Sequence, residues 1–186
     1  MKKILSLGLA VGLVGMASAV TMQWASATAI QFDGSNLKSD ATVTGYLIAL
    51  DQFAASYTVD DGFDASKIGT LVDTKAATSA MSKISKAWTI DTDTYGNGDT
   101  FAVLLKYTGA SDGKTYWNLS SGLVTMSGMA LDPPADANNT TASFSYGKGT
   151  DPTLTAGGGW VAAVPEPGIA CMALLGLGMM LKRRRA

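Results

Sequence analysis

The side chains with chemistry to offer are mostly aspartates. Asp91, Asp93 and Asp99 fall at relative positions 1, 3 and 9 of the stretch Asp-Thr-Asp-Thr-Tyr-Gly-Asn-Gly-Asp, with Gly96 at position 6. That is part of the oxygen spacing of an EF-hand loop, which makes the three a calcium candidate. The pattern fails at position 12, where a bidentate Glu belongs and Ala102 stands, and at position 5, which is Tyr95; a strand pattern follows rather than a helix. A hairpin turn between strands ending near Ile90 and starting near Thr100 is therefore expected, and no metal site is assigned. Asp60, Asp61 and Asp64 read the same way.

Other patterns dissolve on inspection. Gly109-Ala-Ser-Asp-Gly113-Lys114-Thr115 has three residues between its glycines where a phosphate loop needs four, and it joins strand to strand. Ser35 with Lys38 and Ser111 with Lys114 have the spacing of a serine–lysine nucleophile pair, but both fall in loops without companion motifs. A pair of aspartates could serve a polymer hydrolase, yet 14 aspartates guarantee that some pair exists. The chain has no histidine, and its one cysteine, Cys171, lies in an apolar tail. Histidine triads, zinc sites and disulfides within the domain are thereby excluded. No catalytic residue and no cofactor is assigned.

Charge is segregated along the 186 residues. Between Val20 and Val164 there are 8 lysines, no arginine, 14 aspartates and no glutamate, a net charge of −6. Such a segment has no clustered cations to neutralise phosphates, so nucleic acid is not expected as a partner. Aspartate without glutamate, among many Thr, Ser and Gly, is the composition of strands and turns, because Asp side chains hydrogen-bond nearby backbone whereas Glu favours helices.

The two ends carry addresses. Lys2 and Lys3, the apolar run Ile4 to Met16, and Ala17-Ser18-Ala19 form the three parts of a secretory signal peptide, with cleavage after Ala19. Signal peptidase and the Sec translocon are thus expected partners. Near the other end, Gly168 to Leu181 is an apolar run of 14 residues closed by Lys182, Arg183, Arg184 and Arg185. As a helix it measures about 21 Å, against a hydrocarbon core of roughly 30 Å. Local thinning and snorkelling of Lys182 and Arg183 close the gap, and the basic cluster stays cytoplasmic as a stop-transfer signal. The expected topology places the domain outside and the tail in the inner membrane.

Just before the tail stands Pro165-Glu166-Pro167, holding the only glutamate in the chain. Two prolines around one residue hold an extended backbone, the form a processing enzyme reads. Pro-Glu-Pro, a short apolar helix with glycines and a terminal arginine run together resemble the PEP-CTERM sorting signal. The resemblance covers about 23 residues and implies recognition by an exosortase, a membrane-embedded cysteine transpeptidase-like enzyme of Gram-negative bacteria that make extracellular polymer. It also implies removal of the tail and delivery of the domain to the cell surface or beyond. Gly-Tyr-Leu-Ile at 45–48 and Asn-Gly-Asp at 97–99 are similar to local pieces of the passengers such proteins carry; this implies a fold but no activity.

These considerations divide the chain into a signal peptide over 1–19, a passenger domain over 20–149, a flexible Gly-rich linker over 150–163 and the sorting signal over 164–186. Within the passenger, Thr42–Leu50 reads as a strand with Gly45 as a bulge, and Thr100–Thr108 alternates with Phe101, Val103, Leu105 and Tyr107 on one face. Lys114–Leu119 and Ala142–Tyr146 also alternate, while Asp73–Lys86, rich in Ala, Ser and Lys, reads as a short helix. Six to eight short strands joined by Gly and Asp turns predict a mainly β single domain, an antiparallel sandwich or jelly roll, flanked by the signal-peptide helix and a C-terminal transmembrane helix. The expected function is a non-enzymatic structural or matrix role at the cell surface or in extracellular polymer. The alternatives are a carbohydrate-binding module, in which Trp24, Trp88, Trp117, Trp160 or Tyr116 would form an exposed platform, and a surface-polymer hydrolase using an Asp pair.

Overall fold

The computed structural model describes residues 21–37, 42–50, 56–77, 82–91, 93–95, 99–122, 124–125 and 140–164. The signal peptide, Pro165-Glu166-Pro167, the 168–181 run and Lys182 to Arg185 lie outside the described residues. Among those described, no helix is long and apolar enough to cross a membrane. The chain is mainly β in several sheets, as its composition predicts.

The elements in order are β1 (Thr21–Ser26), β2 (Gln31–Phe32), β3 (Ser35–Asn36), β4 (Val43–Ala49), a single 3-10 turn (Ala65–Lys67), β5 (Thr70–Ala76), β6 (Ser85–Thr89), β7 (Thr100–Tyr107), β8 (Tyr116–Leu119), β9 (Val124–Thr125), β10 (Thr140–Phe144) and β11 (Val161–Ala162). A six-stranded sheet runs β11-β8-β7-β4-β5, with β9 also paired to β7. A three-stranded sheet runs β10-β1-β6, and β2 and β3 make a small hairpin.

The larger sheet is organised around β7. Its Phe101, Val103, Leu105 and Tyr107 share a core with Met22 and Trp24 of β1 and with Ala142 and Phe144 of β10, so the two larger sheets face one another. On the opposite face Ala102 and Leu104 join Ile48, Trp117 and Leu119 in a second core, covered by Val59, Phe63, Ile68, Leu154, Val161 and Ala163. A strand buried on both faces must be nearly all apolar, and Phe-Ala-Val-Leu-Leu is. At one point the sheets are joined by a polar contact: Trp24 Nε1 donates to Asp73 of β5 at 2.9 Å, and Lys86 of β6 pairs with the same carboxylate.

Several features depart from the sequence reading. β1 runs parallel to β10, in register from Met22 opposite Thr140 to Ser26 opposite Phe144, where antiparallel pairing is expected throughout. A parallel pair needs a long connection, and here most of the domain supplies it. The 73–86 stretch holds the end of β5 and the start of β6 in place of a helix: Val72 and Thr74 are β-branched, and Val72 packs against the core from this edge strand. The bulge lies in β5 rather than at Gly45: Leu47 pairs with Asp73 and Ile48 with Leu71, which leaves Val72 as the extra residue. Gly45 is needed for space: a Cβ there would lie 2.7 Å from Ile84 Cδ1 and 3.3 Å from the Trp24 ring. Finally, 150–163 is not a linker. It contains β11 and supplies buried residues to both cores.

Candidate functional site

The last described residues form the junction between domain and sorting signal. Their path starts where Gly147 passes so close to Gly158 that a Cβ on Gly147 would lie 1.6 Å from the Gly158 carbonyl oxygen. Glycines that read as flexibility thus serve close backbone approach. The crossing is fixed by Trp160 N donating to Gly149 O at 2.6 Å and Asp151 N donating to Trp160 O at 2.9 Å. Leu154 and Trp160 are fully buried. The Trp160 indole donates to Gln31 O at 2.8 Å, and its ring packs against Phe32, Tyr107 and Tyr146.

From Trp160 the chain enters β11, where Val161 lies opposite Trp117 and Ala162 opposite Tyr116. Ala163, 3% exposed, donates its N–H to Thr115 O at 2.8 Å. Val164 donates to Val59 O at 3.4 Å and bridges Asp60, whose carboxylate pairs with Lys67 at 3.7 Å. The Val164 side chain is 67% exposed. The described residues thus end one residue after a buried position, and Pro165 comes next in sequence.

Four of the described aspartates are turn formers. Asp64, Asp91, Asp112 and Asp151 each accept the backbone N–H of the residue two positions on, from Ser66, Asp93, Lys114 and Thr153 at 2.9, 3.2, 3.0 and 3.1 Å. Asp91 also accepts from Thr94 Oγ1 at 2.6 Å, so its oxygens are engaged by its own turn. Among the described residues, Asp91, Asp93 and Asp99 included, no three acidic side chains gather in a way that could hold a metal ion. A cleft of about 420 Å³ opens beside β2 and β3, lined by Phe32, Asp33, Asn36, Tyr107 and Ser111 among others, and Asp33 is the one carboxylate among its described lining residues.

Three of these turn bonds, at the exposed carboxyls of Asp64, Asp91 and Asp112, add a small solvent-screened dependence of stability on pH. The Ser66 N–H bonded to Asp64, the Thr94 hydroxyl bonded to Asp91 and the Lys114 N–H bonded to Asp112 each hold a carboxyl below the usual aspartate value. A carboxyl depressed in the folded state contributes stability above its unfolded value of about 3.9. That contribution is lost as pH falls through the lowered folded value. The thermal midpoint is expected to stay level from neutral pH to about 5 and to drop below about 4; a midpoint still level at pH 3 would contradict this.

The aromatic residues do not make an open platform. Trp24 and Trp160 are fully buried and Trp117 is 2% exposed. Trp88 is half-buried in edge-to-face contact with Tyr95 and Phe101, and Tyr116 is half-buried against Phe32. The large hydrophobics exposed among the described residues are Leu71 and Val164. Sequence reasoning missed the junction itself; the available signal was Leu154, Trp160 and Val161, apolar residues with no role in a solvated linker.

A family model described as the PEP-CTERM protein-sorting motif matches residues 163–186. No curated protein and no solved structure matches the chain. The chain therefore carries this sorting motif, which implies export, a membrane-anchored C-terminus before processing, and exosortase as the processing partner. The match begins at Ala163, two residues inside the packed domain.

Proposed function

We propose that this chain, carrying the PEP-CTERM motif at its C-terminus, is a non-enzymatic structural domain delivered by exosortase to the cell surface or the extracellular polymer matrix. The observation that carries the reading is the sorting motif over 163–186. The signal peptide, cut after Ala19 by signal peptidase, brings the chain through the Sec translocon. The 168–181 helix and the stop at Lys182 to Arg185 then hold it in the inner membrane with Pro165, Glu166 and Pro167 on the outer side. After processing, what remains is a β-sandwich of two facing sheets.

A structural role is supported by what the polar and aromatic groups are already doing. Among the described aspartates, Asp64, Asp91, Asp112 and Asp151 are engaged in turns and Asp73 in the contact joining the two sheets. Of the rings that a carbohydrate platform would need, Trp24, Trp117 and Trp160 are buried, and Trp88 and Tyr116 are half-buried against other rings. Neither alternative gains a specific observation in its favour.

Mass mapping of both termini on protein from the native host tests the reading. A mature form starting at Val20 and ending near Pro165 to Pro167, lost when the exosortase is deleted, is the expected result. Persistence of Arg183 to Arg185 in the normal strain would make the tail a plain anchor and end the sorting proposal.

A further inference from the structure

We infer that residues 161–164 are a strap that positions the sorting motif and times removal of the tail. The processing enzyme gains extended backbone on the N-terminal side of Pro165 only when the strap is peeled from the domain. The inference rests on the sorting reading above. Enzymes that read extended peptides hold them largely by main-chain hydrogen bonds, as an added strand is held by a sheet edge. Pro165 and Pro167 have no N–H to give, so within the motif only Glu166 offers a backbone donor. The next donors upstream are the N–H groups of Val164 and Ala163, and both are bonded to the domain, at Val59 O and Thr115 O.

Chain length removes the alternative of working at a distance. Between Val164 and the apolar run lie three residues, Pro165 to Pro167, which extend about 10 Å at most. With the run in the bilayer, the motif cannot be presented away from the end of the domain built by 57–60 and Thr115. The enzyme must meet that end or draw 163–164 off it. Processing breaks one backbone amide at or beside the motif; its acyl carbon passes to water or to an amine, and the tail leaves with a new amino terminus. The acyl side of that bond is the side the strap occupies.

The test uses the full chain in its native host, with the rate of tail removal timed from loss of the signal peptide. Six Gly and Ser residues inserted between Val164 and Pro165 free the motif without touching any packed residue. Tail removal is expected to become about ten-fold faster, the scale of releasing one or two backbone hydrogen bonds. The melting temperature of the processed domain should not change, which separates the strap from a general effect on folding. An equal or slower rate in the inserted chain overturns the strap. A tail removed from neither chain, with exosortase present, overturns the sorting reading and the strap with it.

Discussion

A chain spanning residues 20–149 is expected not to fold, whereas one spanning 20–164 unfolds cooperatively in urea. The shorter chain lacks Leu154, Trp160, Val161 and Ala163, all buried, which fill both cores of the larger sheet. Truncating a single buried Trp costs about 3–5 kcal/mol and a buried Leu about 2–5 kcal/mol, while a domain of this size has only about 5–15 kcal/mol in total. Removing the segment also strips Gln31 O of its indole donor and exposes the edge of β8. The single change Trp160→Ala in the longer chain should by itself take about 3–5 kcal/mol from the urea-extrapolated stability. A 20–149 chain with an unfolding transition as sharp as that of 20–164 would show that the segment is only draped on the surface.

Gly147→Ala is the second change with a large expected effect. Its Cβ would sit 1.6 Å from Gly158 O and 2.3 Å from the Gly158 carbonyl carbon. The obstacle is backbone, so no rotamer change relieves it, and moving residue 158 disturbs Trp160 two positions later. A loss of about 3 kcal/mol is expected, which lowers the melting temperature on the order of 10 °C. Gly149→Ala is the control: it lies two residues away with nothing within 4 Å of its Cβ, and should be close to neutral. Equal midpoints for the two variants would mean that the strands at this crossing are further apart than described.

Sequence alone read best where the signal is local. The Pro-Glu-Pro tail is an address, matched by the sorting-motif model over 163–186, and an address is written in contiguous residues for an enzyme to read. The alternation in β7 was equally legible, since period 2 over Phe101 to Tyr107 leaves little choice of face. The absence of glutamate beside 14 aspartates pointed to turns, and four aspartates cap turns in the same geometry. What failed was long-range or depended on context. Nothing near Met22 marks Thr140 as its neighbour. Glycines at 157–159 have the composition of a flexible linker, but Gly157 is needed for its φ of 70°, and Gly158 and Gly159 have no room for a side chain. At 73–86 helical composition was overridden by an edge position beside β4.

The pairing of β1 has a consequence for how the protein comes to be folded at all. Among the described strands it is the first made, and it is the middle strand of its sheet, held between β6 and β10. Its parallel partner ends at Phe144, so the small sheet cannot close until almost the whole domain has emerged on the far side of the membrane. Proteins dominated by such distant pairings fold slowly, in roughly milliseconds to seconds. An exported chain of this design spends that interval with Met22, Trp24 and the apolar face of β7 uncovered. It should therefore depend on a chaperone outside the cytoplasm, and its yield should fall more sharply than its stability when that chaperone is removed.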